Sequence, residues 1–310
     1  MQRQLTFGGG VSPRNTRLRG QSIIEYVLII AVIGLAIVFA GPGVAGAIRN
    51  QFNQVTNTVD SGTDGDSFMS AEEKAYREAM RTVASKEAKD WTLDEQKAAA
   101  ADIAKNGTSS VVYAKAKAAM DTGTKWSVKL TNGETLEYRI IGINHDDLAD
   151  GTGKAGLTFE TANYAMGMNR MNATHDNAGG WEKSELRDRL NSGDLWALLP
   201  AEIQSRAKVV TKMTDNQGGS NAATATTDKV FLLSSTEVWG NLDGDGTQYE
   251  YYKSKGVTMS SYSGASLGFN HWTRSVDPSN SMFFRCINFS GGRGCGYAAN
   301  NNYLSPAWCF

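Results

Sequence analysis

The sequence predicts an α+β chain: an N-terminal membrane-spanning helix, a short helical spacer, and a C-terminal domain of short strands and turns. Three observations predict it. The apolar run from Ser22 to Ala40 has the length of one bilayer crossing, for which about 20 helical residues suffice. Alanine-rich segments with capping signals occupy residues 70–122. From Trp126 onward, alternating strand residues are punctuated by Gly, Asn and Ser.

Composition narrows the function classes. Lys+Arg 31 against Asp+Glu 32 gives a net charge of -1, so no global basic field points to nucleic acid, and no nucleic-acid partner is expected. Gly 33 against Pro 5 indicates a loop-rich fold with many tight turns. The three cysteines, Cys286, Cys295 and Cys309, crowd the C-terminus and allow at most one internal disulfide. The core must therefore come from packing.

The N-terminal helix is expected over residues 21–59, with Gly41-Pro42-Gly43 weakening or kinking it. Arg3, Arg14, Arg17 and Arg19 precede the span and Arg49 follows it, which places the N-terminus in the cytoplasm and exports the rest. A cleaved secretory signal is disfavoured, because the apolar stretch is too long and Glu25 interrupts it. A plain anchor accounts for the hydrophobicity but not for Glu25, since a carboxylate in a span is costly and wants a partner. Gly20 stands immediately before Gln21, and Glu25 is the fifth residue counted from Gln21. This arrangement resembles the type IV prepilin processing site, and the Glu25-Tyr26 pair resembles its Flp/Tad branch. The resemblance implies a leader over residues 1–20, cut after Gly20 by a prepilin peptidase. It also implies a new α-amino group at Gln21 that pairs with Glu25 of a neighbouring pilin subunit, with Tyr26 beside it in assembly. The chain would reside in the cytoplasmic membrane as a precursor and then on the cell surface or in a pilus.

Residues 60–122 read as a linker and helical stalk. Asp60 to Asp66 is a solvated, turn-rich hinge. Ser70 with Glu73 and Thr92 with Glu95 form capping boxes that open two helices, and Ser109 to Met120 continues the alanine-rich pattern. Few large apolar residues are present, which suggests a spacer.

Residues 123–310 form the C-terminal domain. Trp126 to Leu130 and Thr135 to Ile143 alternate around Asn132-Gly133, a strong hairpin signal. A helix opens near Gly179 to Arg187, a second near Pro200, and a buried strand covers Lys229 to Ser234. Ile141 to Asp147, Leu157-Thr158-Phe159, Gly179 to Arg187, Asp228 to Ser234 and His271 to Ser275 together resemble a domain family of unknown function found in exported bacterial proteins. That family is similar to the C-type-lectin-like fold, shared with sulfatase-modifying enzymes and with retroelement-diversified ligand-binding proteins.

Several candidate sites follow. Asn270, His271, Asn288, Ser290, Tyr297, Asn300, Asn301, Asn302 and Tyr303 belong to an aromatic and amide-rich C-terminal stretch, the residue types that binding surfaces use for adaptable contacts. The resemblance to diversified relatives implies variable positions there and an unknown protein or glycan ligand. Cys286 and Cys295 fit a disulfide across a hairpin, with Cys309 as an alternative partner. Their spacing does not reproduce the cysteine pair of the sulfatase-modifying enzymes, so a membrane-anchored enzyme of that type is the second reading and no catalytic residue is assigned. No cofactor is expected. A calcium loop is the one cation reading, at Asp243 and Asp245, and it lacks the closing Glu of an EF-hand. The expected function is thus a pilin-like surface subunit, minor or at the tip, that displays an adhesin domain.

Overall fold

Three helices lead the part of the chain that the computed structural model describes, residues 70–216, 223–240 and 244–310. Helix α1 (Ala71–Ser85) starts where Ser70 accepts a hydrogen bond from the Glu73 amide. Helix α2 (Leu93–Asn106) has a complete capping box between Thr92 and Glu95. Helix α3 (Tyr113–Thr122) stops at Gly123, whose φ of 69° gives the left-handed turn that glycine adopts without strain.

The sheets follow. Strands β1 (Lys125–Lys129) and β2 (Thr135–Ile143) form the hairpin read from Asn132-Gly133, with Trp126 opposite Tyr138. Strand β3 (Leu157–Thr161) pairs antiparallel with β2 across an irregularity at Ile140/Gly142. After β4 (Met168–Asn169) come three short helices, α4 (Glu185–Asn191), α5 (Asp194–Leu198) and α6 (Ala201–Gln204). The ribbon of β5 (Val210–Thr214) and β6 (Thr224–Asp228) leads into β7 (Val230–Phe231), α7 (Ser235–Trp239) and α8 (Glu250–Ser254). The chain ends with β8 (His271–Val276), β9 (Phe283–Ile287), β10 (Arg293–Tyr297), β11 (Asn302–Tyr303) and β12 (Ala307–Cys309). One sheet runs β1-β2-β3-β12-β7 and a second runs β10-β9-β8-β11-β4. The last strand of the chain thus sits inside the first sheet, where the Trp308 ring packs against Tyr138 and Phe159.

Two expectations are corrected here. The described residues are α+β, but no helix among them is long and apolar enough to cross a membrane, which overturns the membrane-helix element of the expected fold class. The segment for which that helix was expected, residues 21–59, lies outside the described residues, as do Gly20, Gln21, Glu25 and Tyr26. The helices expected as a spacer are instead a wall of the core. Met80, Val83, Ala99, Ala100, Ile103, Ala116 and Met120 are buried in the same cluster as Tyr138, Phe159 and Trp308. Polar bonds tie the layers together: Trp126 Nε1 donates to the Ala88 carbonyl at 3.0 Å, Tyr138 hydroxyl to Gln96 Oε1 at 3.1 Å, and Asn144 Nδ2 to the Ile103 carbonyl at 3.1 Å. The shortage of large apolar side chains reflects close approach and not exposure. The backbone of α2 comes so near the sheet that a Cβ on Gly156 would stand 1.8 Å from the Ala100 carbonyl oxygen.

Two buried ionic groups sit in the fold. Arg139 donates to Glu160 at 2.9 Å, and the Tyr252 hydroxyl completes that carboxylate at 2.7 Å. Lys212, Asp146, Glu237 and Arg274 form the second group, with Ser275 and Asp245 at its margin. Burial opposes the charge on Asp146, but the Lys212 ammonium outweighs it and holds the carboxyl well below its ordinary range. Such groups are costly to desolvate, so breaking one partner is far more damaging than the pair is stabilising.

Candidate ligand-binding face

The β9–β10 hairpin turns through Asn288 to Gly292, and its tip is held on every side. Asn288 Oδ1 accepts from the Ser290 amide at 3.0 Å, the Ser290 hydroxyl at 2.7 Å and the Gly292 amide at 3.0 Å. The Phe289 amide donates to Asn270 Oδ1 at 2.7 Å, and its carbonyl accepts from the Ser266 hydroxyl at 2.6 Å. Trp239 Nε1 donates to the Gly291 carbonyl at 3.0 Å. Gly291 lies at φ 92°, and a Cβ there would meet the Tyr262 carbonyl at 2.2 Å, so the tip is seated directly on the neighbouring loop. The Phe289 side chain is nevertheless 68% exposed, with Tyr262 at 40% beside the same turn. An apolar ring on a backbone tied by five hydrogen bonds is ordered before it meets a partner.

A second aromatic group lies along the same sheet. Cα partners run Tyr303–His271–Ile287–Arg293, a row on one face in which His271 and Ile287 are buried and the two ends, Tyr303 and Arg293, reach solvent. Arg293, Cys295 and Tyr297 alternate with Gly294 and Gly296 and so fall on that face. The glycines serve the opposite face: added Cβ atoms would meet the Cys286 thiol at 2.8 Å and the Trp272 ring at 2.7 Å. Tyr303 packs with Tyr164 and Phe269, whose ring centroids are 5.8 and 5.4 Å away, and Tyr164 is 64% exposed. Tyr297 stands edge-on to Phe283 at 4.5 Å and beside His175 at 4.7 Å. Residues 256–273 and 286–310 carry one formal charge between them, Arg293, in a chain that is 20% charged.

The structure assigns different tasks to the residues expected here. Tyr297 and Tyr303 present aromatic surface, and Asn300 and Asn301 are exposed at the turn before β11. Asn302 is half-buried and hydrogen-bonds the Cys286 thiol. Asn270, Asn288 and Ser290 direct their side-chain oxygens to the hairpin tip, as brackets for the ring between them. His271 is a correction: it is 1% exposed, so it cannot face a ligand. Its Nδ1 lies 3.1 Å from the Phe269 carbonyl, its Nε2 has no hydrogen-bond partner, and burial pushes its pKa down to about 4. Phe289 and Tyr164 were not singled out by sequence reasoning as contact residues, whereas Tyr262 belongs to the aromatic set read from the C-terminal stretch. Phe289 carried one legible signal, an aromatic residue inside the turn sequence Asn-Phe-Ser-Gly-Gly.

The Cys286–Cys295 pairing is also corrected. The hairpin exists, but its register sets Cys286 opposite Gly294 and Cys295 opposite Arg285. Neighbouring register positions point to opposite faces of the sheet, and all three cysteines are free thiols. Burial pushes the Cys286 thiol up to about 12, far from the range of a reactive thiolate. Of the expected calcium loop, Asp243 lies outside the described residues, and Asp245 is buried, with Oδ2 accepting from the Ser275 hydroxyl at 2.6 Å. Among the described residues, no three His, Cys, Asp or Glu side chains gather as a metal site.

No curated protein matches this chain, and no solved structure does, so the lectin-like likeness rests on sequence alone. The matched region instead has a family of its own: over residues 153–309, from the loop before β3 into β12, the chain belongs to the family described as a domain of unknown function (DUF6273).

Proposed function

We propose that this chain is a surface-displayed binding protein. Its C-terminal domain offers a rigid, almost uncharged face built on Phe289, Tyr262, Tyr297 and Tyr303 to a protein or glycan ligand. Its N-terminal leader delivers it to a pilus-type assembly after cleavage between Gly20 and Gln21. The observation that carries the reading is the hairpin tip, where side chains hold the backbone of Phe289 while its ring stays in solvent. A fold gains nothing from exposing a phenyl ring so firmly, whereas a binding surface gains affinity from an anchor already in place. The neutral surroundings suit a partner recognised by shape and stacking and not by charge. The leader motif supports export, and Gly20, Gln21 and Glu25 carry that part alone.

Cells that display the full chain, and an array of glycans and cell-surface proteins probed with it, provide the test. Phe289→Ser with Tyr262→Ser should lower binding at least tenfold, the loss of an anchor worth about 2 kcal/mol. Unfolding stability of Phe289→Ser alone should stay within about 0.5 kcal/mol, as for other exposed positions. Unchanged binding by the double variant refutes the assignment of the face. Delivery is tested separately, by reading the mature N-terminus with and without prepilin peptidase; a start other than Gln21 removes the pilus part and leaves the binding part standing.

A further inference from the structure

Lys212, on β5, is buried with its side chain 3% exposed, and its ammonium lies between two carboxylates. Nζ is 2.5 Å from Asp146 Oδ1 and 2.6 Å from Glu237 Oε1, and it sits 4.3 Å from the centre of the Phe231 ring. Asp146 is approached by donors from its other side. The Thr158 hydroxyl donates to Oδ2 at 2.6 Å, and the Tyr249 hydroxyl reaches both oxygens at 3.0 and 2.9 Å. Glu237 is independently satisfied by Arg274, which donates Nη2 to Oε1 at 2.9 Å and Nη1 to Oε2. Asp146, Lys212, Glu237, Arg274, Thr158 and Tyr249 are all buried.

We propose that Lys212 and Asp146 become joined in the folded protein by an intramolecular amide bond. The cluster contains a nucleophile, an electrophile, a proton carrier and donors for the developing oxyanion, each within hydrogen-bond reach. Glu237 takes a proton from the Lys212 ammonium, and the freed amine attacks Cγ of Asp146. The Thr158 and Tyr249 hydroxyls stabilise the charge on the tetrahedral oxygens. Glu237 returns the proton to the departing oxygen, and a second proton follows from nitrogen by the same path. One C–N bond forms, one C–O bond breaks, and one water leaves. No electrons are exchanged, so the step needs no oxidant, metal or co-reactant.

Condensation in water is opposed by the solvation of the separate ions, and here that solvation has already been lost. Side chains held in contact react with effective concentrations of about 10⁵–10⁸ M. Charge balance favours the step as well. The cluster around Lys212 holds two cations and two carboxylates, with Asp245 at its margin; removing Lys212 and Asp146 as charges leaves Arg274 and Glu237 still paired. The bond would tie residues 66 positions apart, stapling β5 to the segment that follows β2. A surface protein whose three cysteines are free would thereby acquire a covalent tie that reducing conditions do not cut.

Intact mass spectrometry of the purified, folded full chain, with its N-terminus read first, tests the proposal. The expected mass is one water below that of the sequence, and a tryptic digest should yield one branched peptide joining Asp146 to Lys212. A wild-type mass equal to that of the sequence overturns it. Lys212→Arg should restore the full mass, because a guanidinium does not acylate. A water loss that persists in Lys212→Arg belongs to another dehydration, such as cyclisation at an aspartate, and overturns it too. Should that variant not fold, the branched wild-type peptide decides alone: its presence supports the bond, and its absence refutes it.

Discussion

Gly156→Ala tests whether α1 to α3 are part of the fold or a free stalk. The added Cβ would stand 1.8 Å from the Ala100 carbonyl oxygen, 2.6 Å from its carbon and 2.9 Å from its Cα. All three atoms are helix backbone, so no side chain can swing aside. Gly156 is itself pinned, donating its amide to the Phe310 carbonyl at 3.2 Å and accepting from the Asn144 amide at 3.1 Å. Relief requires α2 and the start of β3 to part by about 1.2 Å, which opens the layer around Ile103 and Leu157. Overpacking of this kind costs about 3 kcal/mol, the upper end of its usual range. For a domain of this size that corresponds to a fall in Tm of about 6–12 °C. Urea unfolding followed by tryptophan fluorescence reads the effect, since Trp91 and Trp126 are buried where the helices meet the sheet. An alanine variant with the wild-type urea midpoint would mean that α2 is not seated on β3, and the spacer reading would return.

Two further outcomes follow from buried groups. The unfolded His271 imidazole takes a proton near pH 6.5 and the folded one only at about pH 4, so the unfolded state binds more protons between these values. That contribution is intact above pH 6.5 and lost as pH falls toward 4, about 3 kcal/mol in all; His271→Phe should flatten this limb of the stability–pH curve, and an unchanged limb would clear His271 of the role. Cys295 is exposed while Cys286 and Cys309 are buried, so a maleimide should label one thiol per native chain and three after denaturation. A native chain that takes no label would restore the hairpin disulfide.

Much of this architecture is legible locally because local forces set it. The hairpin of β1 and β2 follows from alternation around Asn132-Gly133, and the starts of α1 and α2 follow from Ser70 and Thr92 with an acid three residues on. The aromatic and amide-rich composition of the tail was also readable. Individual roles within it were not. Asn288 and Asn270 have the composition of contact residues, yet their oxygens point at backbone amides, and only the meeting of the hairpin with residues 262–270 decides that.

By itself, the sequence determined the α+β character, the β1–β2 hairpin and the helix caps, because these depend on residues close together in the chain. Tertiary structure alone decided that alanine-rich helices wall the core, since the sign of that pattern turns on the space left at Gly156. It decided that His271 is buried and Phe289 exposed, which depends on the loop each one meets. It also brought Asp146, Lys212 and Glu237 together from three separate segments. The energy of a buried charge is set by neighbours distant in sequence, and no periodicity announces where they will meet.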